Sequence, residues 1–217
     1  ISLQKNDEIE RYPIQLYHHL CIQTELKDKI IVEVGSGRGG GANFIARYHS
    51  PKLVTGVDLS PNAISLCKNN YNLNNLNFII GDSANLPFDD NSVDVVVNVE
   101  SSHCYPSIPD FISEVCRVLK PGGHFLYCDL VIESTLDVHL NKLKNNSLKD
   151  FKPVDITENI IKASELMTDD RNKIINKVNS SFLRKVLKSF ASVKGSKIYK
   201  SFVDRHYRYV SLVAEKK

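Results

Sequence analysis

Four side chains and one loop have the types and spacing that chemistry needs: Glu33, Asp58, Asp82, His103 and the glycine run Gly35-Ser36-Gly37 inside IIVEVGSGRGGG. Glycines in that rhythm let the backbone turn tightly and approach a flat ligand, and a helix beginning near Gly40 would aim its N-terminus at the same place. The spacing Gly35, Gly37, Gly40 also fits the dinucleotide fingerprint, with Asp58 close to the ~20 residues downstream expected of its ribose-binding acid. His103, in ESSHCYP, is the one well-placed general base. An imidazole with an ordinary pKa of about 6.5 can take a hydroxyl proton at neutral pH.

A carboxylate at Glu33, two residues before the first glycine, sits poorly beside a pyrophosphate. It suits a cofactor carrying positive charge, such as the ammonium and sulfonium of S-adenosylmethionine. Asp58 can accept both ribose hydroxyls, and Asp82 can accept from the adenine amino group, with Ser83 and Ala84 offering backbone contacts. Ser36, Leu59, Asn98 and Val99 complete the same candidate rim. Near His103, Glu100 is a candidate to orient the imidazole or to cover the adenine with its backbone, and Asp129 is a second candidate to orient base or substrate. The plain readings of these residues are a histidine that shapes the pocket or bonds Glu100, and an acid that only caps a strand.

To present these groups on one rim, the chain must place several strand ends side by side. It reads strand, glycine loop, helix, strand, acid, helix, strand, acid, strand, helix, strand: a doubly wound α/β sheet whose ligands bind outside the carboxyl ends of parallel strands. Residues 131 to 190 read as a helical cap, with amphipathic periodicity in ITENIIKASELM and NSSFLRKVLKSF. Beyond it, SFASVKG reads as a sixth strand, SKIYKSFVD as a short connection and HYRYVSLVAEK as a seventh, a closing β-hairpin over about residues 190 to 215.

The whole chain of 217 residues is long enough to bury a sizeable core and reads as one domain. With no run of ~18 apolar residues and no signal peptide, the expectation is a soluble, cytoplasmic protein. Five cysteines, odd in number and without C-x-x-C spacing, read as reduced, buried thiols, although a nucleophilic Cys104 is the sharper alternative. Residues 1 to 140 carry a net −7 and residues 141 to 200 a net +8. The bland account of the basic stretch is a solvated cap face; the sharper one is peripheral contact with an anionic membrane or delivery of a lipid. No aromatic-rich basic patch suggests nucleic acid, and the other histidines share no metal-ligand spacing.

RVLKPGG before the fifth strand, together with the glycine loop and its acids, resembles the class I S-adenosylmethionine-dependent methyltransferases. More narrowly, LYHH, GRGGGANF, LPFDDNSVDVVVNVESSHCYP and EVCRVLKPGGHFLYCDL resemble the phthiotriol and phenolphthiotriol dimycocerosate O-methyltransferases, densely over about residues 15 to 130. The resemblance implies strand order 3-2-1-4-5-7-6, S-adenosyl-L-methionine as cofactor with S-adenosyl-L-homocysteine as product, and methylation of a hydroxyl on a lipid-like or polyketide acceptor. It implies a contact from Tyr17 to the carboxylate end of the cofactor; packing in the core is the competing role for this tyrosine. No paired acids of the Mg²⁺-holding kind are seen, so a metal-free reaction is expected. The resemblance implies a longer N-terminal region, and with no initiating Met a trimmed chain is expected. Methylation of carbon or nitrogen, a non-catalytic S-adenosylmethionine-binding subunit and a dehydrogenase are the alternatives.

Overall fold

Apolar runs bounded by glycine, proline or acid build the sheet. A computed structural model describes the chain from Ile1 to Lys217, apart from the side chains of Lys185, Lys188, Ser189 and Phe190. Five strands run Ile30–Val34 (β1), Leu53–Asp58 (β2), Leu76–Ile80 (β3), Val93–Val99 (β4) and Leu119–Ile132 (β5). They pair in parallel, β3 to β2, β2 to β1, β1 to β4 and β4 to β5. Runs such as IIVEV and VDVVVNV, with almost every residue buried, suit strands covered on both faces. The strand order reverses between β1 and β4, so their carboxyl ends flank the crevice where such sheets bind ligands.

Helices Arg11–Cys21 (α1), Gly40–Tyr48 (α2), Pro61–Asn70 (α3) and Ile108–Val118 (α4) serve these strands. Ser60 caps α3 by accepting from the Ala63 amide, with Pro61 at the first helical position; Ser107 caps α4 by accepting from the Asp110 amide. The buried face of α4 repeats at Ile108, Phe111, Ile112, Val115, Cys116 and Val118, and it packs into one core with Val32, Val96, Phe125 and Tyr127. Each large apolar side chain fully buried there contributes about 1.5–3 kcal/mol. That core fixes the ends of β1, β4 and β5 relative to one another.

The sheet is completed by Leu148–Lys149 (β6), Val154–Asp155 (β7) and Tyr207–Lys216 (β8). The order is β3-β2-β1-β4-β5-β8-β6, with β7 pairing β8 off that path. This corrects the expected closing hairpin. On its outer side the last strand pairs antiparallel with β6, Leu148 opposite Lys216 and Lys149 opposite Glu215, and not with SFASVKG. That segment begins as the end of helix Ser181–Phe190 (α7), capped by the Ser180 side chain, and then turns through Ser192 at φ 46° and Gly195 at φ 85°. A capped amphipathic helix followed by two left-handed residues leaves no extended run to pair. SKIYKSFVD likewise holds a helix, Lys197–Val203 (α8), capped by Ser196.

The chain divides into two compact units. The larger takes Ile1–Asp129, Val138–Val154 and Ser211–Lys217; it contains β1 to β4, β5 as far as Asp129 and most of the helix Leu136–Leu143 (α5). The smaller takes Leu130–Asp137 and Asp155–Val210. Within the smaller, helix Thr157–Asn176 (α6) starts where Asp155 accepts from both the amide and hydroxyl of Thr157, Arg208 pairs with Glu133 and Asp155, and Phe202 packs on Tyr207 and Tyr209.

Candidate active site

The glycine loop begins where β1 ends. The Gly35 and Ser36 amides both donate to the Val57 carbonyl, at 2.8 and 3.0 Å, so the loop is tied to β2. Gly35 lies at φ 73°, and a Cβ there would sit 2.4 Å from Ser101 Oγ and 2.6 Å from the Tyr105 hydroxyl oxygen, so neither conformation nor space admits another residue. By contrast, a Cβ on Gly37 or Gly40 would meet no atom within 4 Å, so these two glycines face open space. The Gly37 amide donates to Asp58 Oδ2 at 2.8 Å while Asp58 Oδ1 accepts from the Ser60 amide at 2.9 Å. Asp58 thus links the loop to the start of α3, and Leu59 beside it is 70% exposed.

Glu33 is fully buried at the end of β1. Its Oε1 accepts from the Tyr17 hydroxyl at 2.6 Å, and its Oε2 has no partner. Burial raises the carboxyl to about 7, against the lowering effects of the Tyr17 hydroxyl and the Ala42 amide. Two more buried polar atoms lack partners nearby in the chain: Ser36 Oγ and Asn98 Oδ1. Buried polar atoms are nearly always satisfied in native proteins, so three of them on the loop, β1 and β4 mark a place built to receive a polar ligand. Tyr17 leans over this place. A Cβ on Gly41 would lie 2.1 Å from its ring carbons, so α1 and the first turn of α2 are in contact through this side chain.

The loops after β3 and β4 close the rim. The Gly81 amide donates to the Asp58 carbonyl, Asp82 Oδ1 accepts from the Ala84 amide at 2.9 Å, and Ser83 follows Asp82 in the same turn. Arg117 steadies that loop from α4, donating to the Leu86 and Phe88 carbonyls and pairing with Glu114 and Asp90. On β4, the Asn98 side-chain nitrogen Nδ2 lies within hydrogen-bond distance of the Val34 carbonyl, Ser101 Oγ and the Tyr105 hydroxyl, which ties β1 to the turn that follows Val99. Glu100 adopts φ 51°, and its amide donates to the Cys128 carbonyl. A non-glycine residue held in that region at a strand end is a costly conformation of the kind found at functional sites.

His103 is the exposed end of a buried polar group. Its Nδ1 lies 2.7 Å from Asp129 Oδ1, and its amide donates to Asp129 Oδ2 at 3.0 Å. The imidazole partner is therefore Asp129, toward the carboxyl end of β5, rather than Glu100. Asp129 is fully buried while the His103 side chain is 34% exposed, and Nδ1 is the ring nitrogen that Asp129 engages. The bond to Asp129 raises the imidazole above its usual range, against the opposing effect of burial. Cys104, next in sequence, is a free thiol but exposed, against the expectation of burial, because it sits in the turn after β4; the other four cysteines are buried and free.

The structure therefore brings together Tyr17 with Glu33, Gly37 with Asp58, and His103 with Asp129. Sequence reasoning missed Ser101, Ser102, Tyr105, Tyr127 and His139; the polar run ESSHCYP after a buried strand is the only signal that pointed to the first three. Among the described residues no group of three or more His, Cys, Asp and Glu side chains is arranged to hold a metal ion.

A family model described as a methyltransferase domain matches residues 32–127. The chain is 37% identical over 198 residues to the phthiotriol/phenolphthiotriol dimycocerosates methyltransferase of Mycobacterium leprae, covering 91% of this chain and 73% of the relative. It is 36% identical over 194 residues to the fatty-acid O-methyltransferase of Mycolicibacterium smegmatis, covering 89% and 71%. Similar solved structures include a geranyl diphosphate C-methyltransferase from Streptomyces coelicolor with S-adenosyl-L-homocysteine (TM-score 0.70, 19% identity, 96% of this chain and 79% of that one). Another is a Haemonchus contortus phosphoethanolamine N-methyltransferase with S-adenosyl-L-methionine (TM-score 0.74, 18% identity, 93% and 52%). At those identities the two structures speak for the fold alone. The buried carboxylate, the open glycine loop and the curated relatives agree: this chain belongs to the class I S-adenosylmethionine-dependent methyltransferases, in the family that includes the mycobacterial phthiotriol/phenolphthiotriol dimycocerosates methyltransferases.

Proposed function

We propose that the chain methylates a hydroxyl oxygen of a lipid-like or polyketide small molecule, with His103 as general base. The observation that carries this reading is the pairing of a half-buried imidazole with a fully buried carboxylate at the carboxyl ends of β4 and β5. A neutral hydroxyl is a poor nucleophile, and a base fixed by a carboxylate is what its methylation requires. The names of the two curated relatives, one a dimycocerosates methyltransferase and one a fatty-acid O-methyltransferase, support a lipid acceptor.

The S-adenosylmethionine that this rim would hold would supply an electrophilic methyl group, with the C–S bonding pair left on sulfur. Glu33, with its unpartnered Oε2, and Tyr17 would hold the cationic methionyl end; Gly35, Ser36 and Gly37 would pass beneath it. Asp58 and Leu59 would receive the ribose and adenine, and Asp82, Ser83, Ala84, Asn98 and Val99 would line the adenine side. His103 Nε2 takes the acceptor proton, and Asp129 holds Nδ1–H so that the imidazolium is formed in place. Because the reacting atoms must be aligned and water kept out, most of the remaining work is positioning.

The test is a pair of acceptors. A long-chain secondary alcohol needs its proton removed; a long-chain fatty acid, already ionised, does not. His103→Ala should cut turnover with the alcohol by about 10²-fold or more and spare the carboxylate. Equal loss with both acceptors, or none with either, removes His103 from the role of base.

The smaller unit carries a second part of this proposal, contact with an anionic bilayer. On α7, Phe182, Leu183 and Leu187 are 73%, 51% and 42% exposed, beside Arg184 in a segment with excess positive charge. No helix among the described residues is long and apolar enough to cross a membrane. Co-sedimentation with phosphatidylglycerol vesicles, lost on Phe182→Ser with Leu183→Ser and absent for phosphatidylcholine, is expected; equal binding to both or neither lipid contradicts it.

A further inference from the structure

Behind Asp129 the polar group continues inward. Ser102 Oγ donates to Asp129 Oδ2 at 2.6 Å, Ser102 Oγ lies 3.0 Å from the Tyr127 hydroxyl, and the Tyr127 hydroxyl lies 2.7 Å from His139 Nε2 on α5. Ser102 and Tyr127 are buried, and His139 is half-buried. Each hydroxyl has a single proton. Once Ser102 gives its proton to the carboxylate, it can only accept from Tyr127. Tyr127 has then spent its own proton and must accept from His139, whose Nε2 therefore carries hydrogen. One assignment satisfies every contact, and in it all the donors run toward Asp129. Burial pushes the Tyr127 phenol upward, which keeps it a donor at all working pH values.

We propose that His139, Tyr127 and Ser102 are positioning residues that act through Asp129, holding the carboxylate in one orientation and so fixing His103 as the Nδ1–H tautomer with its Nε2 lone pair outward. The role rests on the reading of His103 as base. No proton travels along the chain; in the transfer step the acceptor proton ends on His103 Nε2, Ser102, Tyr127 and His139 keep theirs, and Asp129 stays a carboxylate. The chain also moderates the carboxylate. A serine hydroxyl that itself accepts a hydrogen bond is a stronger donor, so Tyr127 tightens the bond from Ser102 to Asp129 and reduces the pull of Asp129 on the imidazole proton. The charged and titratable groups felt by His103 are Asp129, Glu100 and His139, and His139 feels Lys142 in addition.

The experiment is NMR titration of the imidazole nitrogens in the full chain, alongside the pH profile of methyl transfer to the long-chain alcohol. Neutral His139 should show hydrogen on Nε2 and neutral His103 hydrogen on Nδ1. Tyr127→Phe, which keeps the ring in the core, should raise the His103 titration by about half a unit and move the acid limb of the rate profile with it, about a threefold loss at fixed acidic pH. His139→Phe should do the same, and His139→Gln, whose side-chain amide can still donate to Tyr127, should restore the original midpoint. Hydrogen on His139 Nδ1 instead, or a His103 midpoint unmoved in both Tyr127→Phe and His139→Phe while thermal unfolding shows them folded, overturns the proposal. A midpoint that moves while the rate profile stays still supports the chain and instead removes His103 as base.

Discussion

Changing pH across the ionisation of Glu33 should move stability and cofactor affinity in opposite directions. Its carboxyl, fully buried, sits at about 7 in the folded chain against 4.5 when exposed. An acid whose folded pKa is raised gives its full contribution below the unfolded value, where both states hold the proton. Between 4.5 and about 7 only the folded state holds it, so stability falls with rising pH, by about 3 kcal/mol over that interval, and levels off above it. A cationic methionyl group reverses the preference, because it stabilises the carboxylate that burial penalises. Binding at acid pH must then expel a proton, and affinity should rise about tenfold per pH unit up to about 7 and flatten beyond. Isothermal titration with S-adenosylmethionine from pH 5.5 to 8, in two buffers of different ionisation enthalpy, reads both affinity and the proton released. Glu33→Gln should abolish the slope, bind more weakly at pH 8 and unfold at a higher temperature there than the parent chain. Constant affinity across the range with no proton released would refute the reasoning, and so would a less stable Glu33→Gln protein at pH 8.

Three further outcomes follow from single contacts. Gly41→Ala places a methyl 2.1 Å from the Tyr17 ring, so it should displace Tyr17 from Glu33, cost about 1–3 kcal/mol and weaken S-adenosylhomocysteine binding; unchanged unfolding and affinity would show that α1 moves freely. Arg117→Ala strips donors from the Leu86 and Phe88 carbonyls and should cost about 1–2 kcal/mol, with faster amide exchange in the loop that carries Asp82; unaltered exchange would contradict the bracing role. His103 is raised above its usual value by Asp129, and a base must be neutral to work. The rate kcat/KM for an alcohol acceptor should therefore fall about tenfold per unit on the acid side of a midpoint above 6.5; a midpoint below that value would mean that another group titrates.

The proposed cofactor rim could be read because its residues lie at strand ends within short motifs. Gly35, Gly37, Glu33, Asp58 and Asp82 each announce a carboxyl end of a parallel strand, and the loop hydrogen bonds found around them follow from that placement. The closing strand was not legible. Leu148–Lys149 is a strand of two residues, too short for any alternation to register, while SFASVKG offers an alternating pattern that a capped helix and two left-handed residues override. His103 was named as the candidate base and Asp129 as one of two candidates to orient it, but the groups behind Asp129 were not. Ser102, Tyr127 and His139 come from the turn after β4, from β5 and from α5, and only packing of those elements brings their hydroxyls and imidazole within hydrogen-bond distance.

Transfer of a ¹³C-labelled methyl group is the most direct test of methylation at oxygen. The chain is incubated with S-adenosylmethionine carrying that label and a long-chain secondary alcohol, and the product is read by carbon NMR, with His103→Ala in parallel. The account predicts an ether methyl signal and one equivalent of S-adenosylhomocysteine, both lost in His103→Ala at neutral pH. Label on carbon or nitrogen of any acceptor, or an ether signal undiminished in His103→Ala, would contradict it.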